Sequence, residues 1–232
     1  MAIKTREVEE LIKEAFKNNI KIMEGFMYAF HPQFDRIINT IKSNILGDIN
    51  YAHSMFSFPI QPARLYRINR SMKNGGGALW DIGPYAIHTL RQCFKENPIR
   101  VKAIAKLNEH GADISTTGLI DFGKNKRATF DISFECTRRS EFEAFGPLGR
   151  VKCPTVWQPE DKQAKIIINT ESGGLTEEVV PAANHFILEI NHFNKVISSD
   201  TTQKLSNEDA LWNVKTLESI QQSVQKDSWV TL

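Results

Sequence analysis

Apolar positions recur at helical spacing over residues 5–18, where Val8, Leu11, Ile12, Ala15 and Phe16 share one stripe and Thr5 takes the N-cap position. The next run, IKIMEGFMYAF (20–30), is apolar and aromatic without a helical period, which predicts a buried strand stopped by His31-Pro32. A second helix is expected over 32–44, with Phe34, Ile37, Ile38 and Ile41 inward and Gly47 closing it. Residues 48–58 read as a strand and lead into a polar, arginine-rich loop, PARLYRINRSMKNGGG. A helix is expected over 83–94, with Pro84 in its first turn, where a missing N–H costs little. Beyond Ile99 the pattern changes to strand after strand, at 99–107, 114–122, 127–135, 140–146, 149–153, 164–169 and 176–181. Glycine-containing turns separate many of them. Two helices close the chain at 184–198 and 206–226, with Ser206 and Asp209 spaced as a capping arrangement.

Short spacings favour antiparallel pairing. The expected class is therefore α+β: one large, mostly antiparallel open sheet with helices on one face. Strands such as 127–135 also carry Thr, Ser, Phe or Ile at outward positions, so the second face is expected to serve as an interface in a homo-oligomer. With 29 basic and 27 acidic residues, the net charge of +2 offers no global attraction for nucleic acid or an anionic membrane. Apolar runs are short and broken by charges, which excludes a membrane-spanning helix. The beginning, MAIKTREVEE, has no signal-like apolar stretch, and a cytoplasmic location is expected. Cys93, Cys136 and Cys153 form no CxxC pair and are expected as free thiols. His185, Glu189 and His192 fall at spacings of four and three, but no fourth ligand is apparent and no metal is expected. Arginines 64, 67, 70, 138 and 139 are basic, with Glu135, Glu141 and Glu143 near the last pair, so a balanced sheet surface is expected. Trp157 and Trp212 are read as packing residues.

The densest chemistry lies in GGGALWDIGPYAIH (75–88). Three glycines permit a tight turn and the close approach of a ligand. Asp81 precedes the helix, where the positive end of the macrodipole favours a carboxylate. If the helix starts near Asp81, then Asp81, Tyr85 and His88 project from one side. An acid, a phenol and an imidazole on one face can hold a sugar hydroxyl and relay its proton. The same residues also fit a structural reading: Asp81 as a cap, Tyr85 as a packed aromatic, His88 as a satisfied core histidine. The glycines are not a dinucleotide fingerprint, because Trp80 stands where the last glycine of GxGxxG belongs.

This run resembles the central motif of the glucose–fructose oxidoreductase/inositol dehydrogenase (Gfo/Idh/MocA) family. EGFMYAFHPQF resembles the segment leaving that family's nucleotide domain, Tyr66-Arg67 stands where relatives often have Trp-Arg, and SNEDALWNVKTLESIQQS resembles its closing helix. The branch most similar contains dimeric dihydrodiol dehydrogenases, xylose dehydrogenases and glucose–fructose oxidoreductase, which have a tyrosine where Tyr85 stands. The resemblance implies hydride transfer between NADP or NAD and a sugar, polyol or trans-diol, and an oligomer formed through the open sheet. It implies Tyr85 as acid/base, Asp81 as the orienting catalytic carboxylate, His88 and Arg67 as substrate-binding residues, and Arg67 with Tyr66 at the nicotinamide.

The chain departs from that family at its beginning. MAIKTREVEELI resembles the stretch directly after the family's Glu-Lys-Pro motif, so the catalytic lysine and the glycine fingerprint are absent from this sequence. Residues 1–30 are accordingly expected to be a remnant helix and strand of a Rossmann domain, and 31–232 the substrate-binding and oligomerisation domain. Ala29 stands where relatives frequently carry arginine. The resulting expectation is an oxidoreductase-family chain that is inactive alone. The rival expectation is a non-catalytic dimerising interaction domain or truncated paralogue.

Overall fold

The computed structural model describes residues 1–159, 162–198 and 201–232. Alternation of small or apolar residues with polar ones sets the strands. They are β1 (Tyr51–Ser57), β2 (Arg100–Leu107), β3 (Asp113–Gly123), β4 (Lys126–Ser133), β5 (Arg139–Gly146), β6 (Gly149–Cys153), β7 (Ala164–Thr170), β8 (Gly174–Val180) and the short β9 (Val230–Thr231). They form a single sheet in the order β8-β7-β6-β5-β1-β4-β3-β2-β9. Every pairing is antiparallel except that of β1 with β4. The expected class, a large and mostly antiparallel open sheet, is thus what the chain forms.

The helices are α1 (Thr5–Lys17), α2 (Pro32–Lys42), α3 (Ala78–Asp81), α4 (Gly83–Phe94), α5 (His185–Ile197) and α6 (Asn207–Lys226). One face of the sheet receives them: α4 lies on β1 and β4, α6 on β2, and α2 on β6 and β7. Their contact is mainly apolar, with Ala52, Phe56, Phe130, Ile132, Phe142 and Ala144 buried beneath Ala86, Ile87 and Leu90. The opposite face is a mosaic. Arg150 pairs with Glu143 at 3.0 Å, Lys152 with Glu141 at 3.1 Å, and Tyr51 stacks near Phe145 with centroids 5.5 Å apart. Arg139 bridges to Asp131, while Glu135 turns to Lys106. That surface is balanced as expected, although the acids named as neighbours of Arg138 and Arg139 neutralise other cations.

Two local expectations need correction. Residues 20–26 take no regular structure, and Met27–Phe30 is a 3-10 helix that joins no sheet. A strand requires a neighbour for its backbone ladder, and among the described residues none pairs with this segment. Its apolar side chains are buried sideways instead: Phe26 stacks on His88, Tyr28 meets Phe34 edge-on, and Ala29 is wholly buried. In α1, Thr5 is inside the helix rather than capping it, and its hydroxyl donates to Glu218 of α6 at 2.6 Å. Only Val8 and Ala15 of its apolar stripe are buried, while Phe16 is 89% exposed.

The glycine run explains how α3 enters the fold. Gly75 and Gly77 have φ of +78° and +95°, which side chains strongly disfavour. A Cβ on Gly76 would lie 1.9 Å from the Arg70 carbonyl oxygen, and one on Gly77 1.8 Å from an Asp113 carboxylate oxygen. The close approach permitted here is therefore by the chain's own Arg70 and Asp113. Asp113 also accepts from the Leu79 backbone N–H at 2.8 Å, occupying the helix end. Replacing Gly77 by alanine is expected to cost roughly 2–4 kcal/mol, from backbone strain plus steric overlap. Urea unfolding checks this, and an unchanged midpoint would show that the turn relaxes.

Candidate active site

A single helical turn, α3, ends at Asp81, and the chain re-enters helix as α4 with Pro84 in the first turn. This break at Ile82 sets Asp81 and Tyr85 side by side between two cavities. One, of about 160 Å³, is lined by Arg64, Arg67, Asp81, Tyr85, Trp157 and Gln158, among others. The other, of about 270 Å³, is lined by Glu24, Gly25, Phe26, Trp80, Asp81 and Tyr85, among others.

Asp81 forms an ion pair with Arg67, whose side chain is 26% exposed. Burial raises the Asp81 carboxyl above its ordinary range, with Arg67 and then Arg64 opposing that rise. Burial is also the main reason that the Tyr85 phenol is raised, with the charges of Asp81, Glu189 and Glu24 adding and Arg67 opposing. The phenol is thus held firmly in its protonated form. Tyr66 is 58% exposed, and its ring lies 5.7 Å from the Arg67 guanidinium. The structure brings together Arg67, Asp81 and Tyr85, with Tyr66 on the outside.

His88 departs from the expected arrangement. It is fully buried, with Nδ1 against the Tyr28 hydroxyl and Nε2 2.9 Å from Asp209. It lines neither cavity; the half-buried Asp209 of α6 draws the imidazole away from them. Asp209 in turn holds Arg91 at 2.9 Å, so the Ser206–Asp209 spacing serves two purposes: Ser206 caps α6, while the Asp209 side chain anchors α4. Thr89 continues the line, donating to Tyr28 and accepting from Trp157 Nε1 at 2.8 Å. Trp157 is a packing residue, as expected, stacked on Phe56 at 4.8 Å, and it also walls the smaller cavity.

Glu189 emerges only in three dimensions. Its carboxyl is pushed up to about 7 by burial, and a Cβ on Gly25 would sit 3.9 Å from its Oε1, an atom without a hydrogen-bond partner. Its helical spacing with His185 and His192 suggested only a metal triad, which lacked a fourth ligand in the sequence. No cluster of metal-ligating side chains exists among the described residues: His185 faces His31, and His192 accepts from the Lys204 N–H at 3.0 Å. Gln158 carries no sequence signal at all. Cys93 and Cys153 are buried free thiols, and burial pushes Cys153 up to about 12.

Can these residues hold a dinucleotide? The one glycine turn that enters a helix already has the Asp113 carboxylate at its N–H groups. Parallel pairing among the named strands is confined to β1 and β4. The described residues therefore offer no pyrophosphate cradle, and they do not fit a whole NAD or NADP molecule.

The profile of the GFO/IDH/MocA C-terminal domain matches residues 34–152. The chain belongs to this family. Among Gfo/Idh/MocA relatives, a trans-1,2-dihydrobenzene-1,2-diol dehydrogenase of Xenopus tropicalis is 28% identical over 173 residues, covering 73% of this chain and 50% of the relative. A D-xylose 1-dehydrogenase (NADP(+)) of Haloferax volcanii is 24% identical over 92% of this chain and 65% of its own length. An aldose-aldose oxidoreductase from Caulobacter crescentus, crystallised with glycerol, superimposes with a TM-score of 0.88 at 20% identity over all of this chain and 70% of that one. This Gfo/Idh/MocA chain thus spans half to seven tenths of the proteins it matches.

Asp209 is the charge that ties His88 and Arg91 of α4 to α6. Burial pushes its carboxyl up, but the hydrogen bond and charge of His88, with Arg91, outweigh this and leave it lowered overall. Its stabilising contribution is therefore present above the unfolded carboxylate range and disappears as pH falls through the lower folded value. Asp209→Asn is expected to lose about 2–4 kcal/mol near neutrality, with the gap from the unaltered chain closing as pH drops below about 4. Chemical denaturation at a series of pH values measures both, and a gap independent of pH would refute the charged pairing.

Proposed function

We propose that this chain is the substrate-binding part of an NAD(P)-dependent oxidoreductase that acts on a sugar, polyol or trans-diol. The observation that carries the reading is Tyr85 and Asp81 side by side on a cavity walled by Arg67 and Trp157. The relatives' names support the substrate class and a nicotinamide partner, and NADP appears in that of the xylose enzyme. Such a cofactor supplies or accepts hydride when bound. Because the described residues hold no cradle for it, its phosphates belong to residues other than these.

What these residues do is handle the oxygen. A phenol held in its protonated form donates a hydrogen bond to a substrate carbonyl or hydroxyl, and gives up its proton as negative charge grows there. Arg67, positive and close by, stabilises that oxyanion. Asp81 orients Arg67 and accepts a neighbouring substrate hydroxyl. In the opposite direction Tyr85 takes the hydroxyl proton, which its raised value disfavours unless a further cation approaches. Turnover by this chain alone is expected to be undetectable for that reason, as well as for want of a pyrophosphate cradle.

Isothermal titration of the purified chain with D-xylose and trans-cyclohexane-1,2-diol tests the reading. Saturable binding of at least one, weakened several-fold in Tyr85→Phe by loss of one hydrogen bond, is the expected result. Binding indifferent to Tyr85 and Asp81 would place the substrate elsewhere and favour the interaction-domain alternative. Measurable NADP-dependent oxidation of either compound would overturn the expected inactivity.

A further inference from the structure

The smaller cavity is not electrically neutral. Pro62–Arg67 forms a 3-10 helix, and in that geometry residues three apart lie one above the other. Arg64 and Arg67 therefore project in the same direction, and both line the cavity. Arg67 is committed to Asp81, which is the cavity's one carboxylate among the described lining residues. Arg64 is exposed and its guanidinium makes no hydrogen bond or ion pair among the described residues; that charge lowers Asp81 through space. On the far wall, Gln158 Oε1 accepts from Arg138 Nη1 at 2.7 Å, so a third guanidinium stands one hydrogen bond behind the lining. Two arginines thus face one carboxylate across a space of about 160 Å³, leaving one guanidinium without a counter-charge.

We propose that the substrate carries an anionic group, a carboxylate or a phosphate, which is bound by Arg64 while its reacting hydroxyl lies against Tyr85 and Asp81. A sugar acid or a sugar phosphate meets this description, and a neutral sugar leaves Arg64 unused. The guanidinium suits the role because its planar array of N–H donors matches both anions in paired hydrogen bonds. Its placement at the mouth, beside an exposed Tyr66, makes the interaction one that salt weakens. The inference rests on the reading of this cavity as the substrate site.

The test is calorimetric titration of the purified chain with D-xylose, D-xylonate and D-xylose 5-phosphate, at low and high salt. One or both anions are expected to bind about tenfold or more tightly than xylose. That preference is expected to shrink as salt rises from about 0.05 to about 0.5 M. Whichever anion binds more tightly identifies the source of the charge. Arg64→Gln is expected to bring the ratio of anion to xylose affinity close to one, whereas Arg64→Lys, which keeps the charge, retains much of it; circular dichroism confirms that both variants are folded. Equal affinity for all three compounds overturns this inference and leaves the proposed function standing. So does a preference that survives Arg64→Gln, or inorganic phosphate binding as tightly as the sugar phosphate. No binding of any of the three overturns this inference, and the proposed function falls with it if trans-cyclohexane-1,2-diol does not bind either.

Discussion

The position of Tyr85 depends on a buried line of polar groups that runs under α4. Trp157, Thr89, Tyr28, His88, Asp209 and Arg91 hand hydrogen bonds from the sheet side of the helix to the first turn of α6. Buried polar groups are costly unless paired, and when paired they specify one arrangement where apolar packing tolerates several. Here the line links α4 to the segment after β6, to the 3-10 helix before α2, and to α6. A rotation or slide of α4 would break several of these bonds together. Tyr85 lies one turn before His88 on the same helix, so its phenol inherits a fixed location between the two cavities. The polar line serves the chemistry by holding the helix, and none of its members but Trp157 faces the smaller cavity.

The glycine turn is the complementary constraint on the other side of Asp81. The Arg70 carbonyl and the Asp113 side chain come so close to Gly76 and Gly77 that no side chain fits at either position. Asp113 is itself buried, and burial raises it to about 6, although it accepts from Thr116 and from the Leu79 N–H. A carboxylate kept at that cost locks α3 against the start of β3. The Arg67–Asp81 pair then bridges from this rigid turn back to the preceding loop, which places both arginines of the 3-10 helix over the cavity.

Much of this was legible in the sequence wherever local pattern and tertiary demand agree. The sheet strands from β2 to β7 and the span of α4 are set by alternation, turn glycines and Pro84, because one face of each element is buried against the same core; β8, with only Val180 buried, is marked by the Gly173-Gly174 turn before it. Asp81 and Tyr85 were legible as neighbours at a helix start, a spacing that fits capping and packing as well as chemistry, and Arg67 entered only through the family resemblance. The failures share a cause. The run 20–30 has a strand's composition, but its pairing depends on neighbours, and its aromatics found a helix surface instead. His88 has a helical offset suited to the site, but an acid contributed more than a hundred residues later, Asp209, decides where the imidazole points. Glu189 and Gln158 enter the neighbourhood from separate elements, and no spacing in the sequence announces that.

On the proposed reading, the electrostatics around Tyr85 bias which way its proton moves. Burial does most to raise the Tyr85 phenol, the acids Asp81, Glu189 and Glu24 add to it, and Arg67 opposes them. Glu189, pushed up to about 7, carries only part of a negative charge near neutrality. Such a setting favours a phenol that donates: it suits protonation of a carbonyl oxygen during reduction better than removal of a hydroxyl proton during oxidation. A positive group brought against Tyr85 from outside the described residues would reverse that bias by lowering the phenol toward neutrality. On the proposed reading, the residues on this chain determine where the oxygen sits and what charge the substrate carries, and the direction of the reaction is set by whatever cation is placed opposite them.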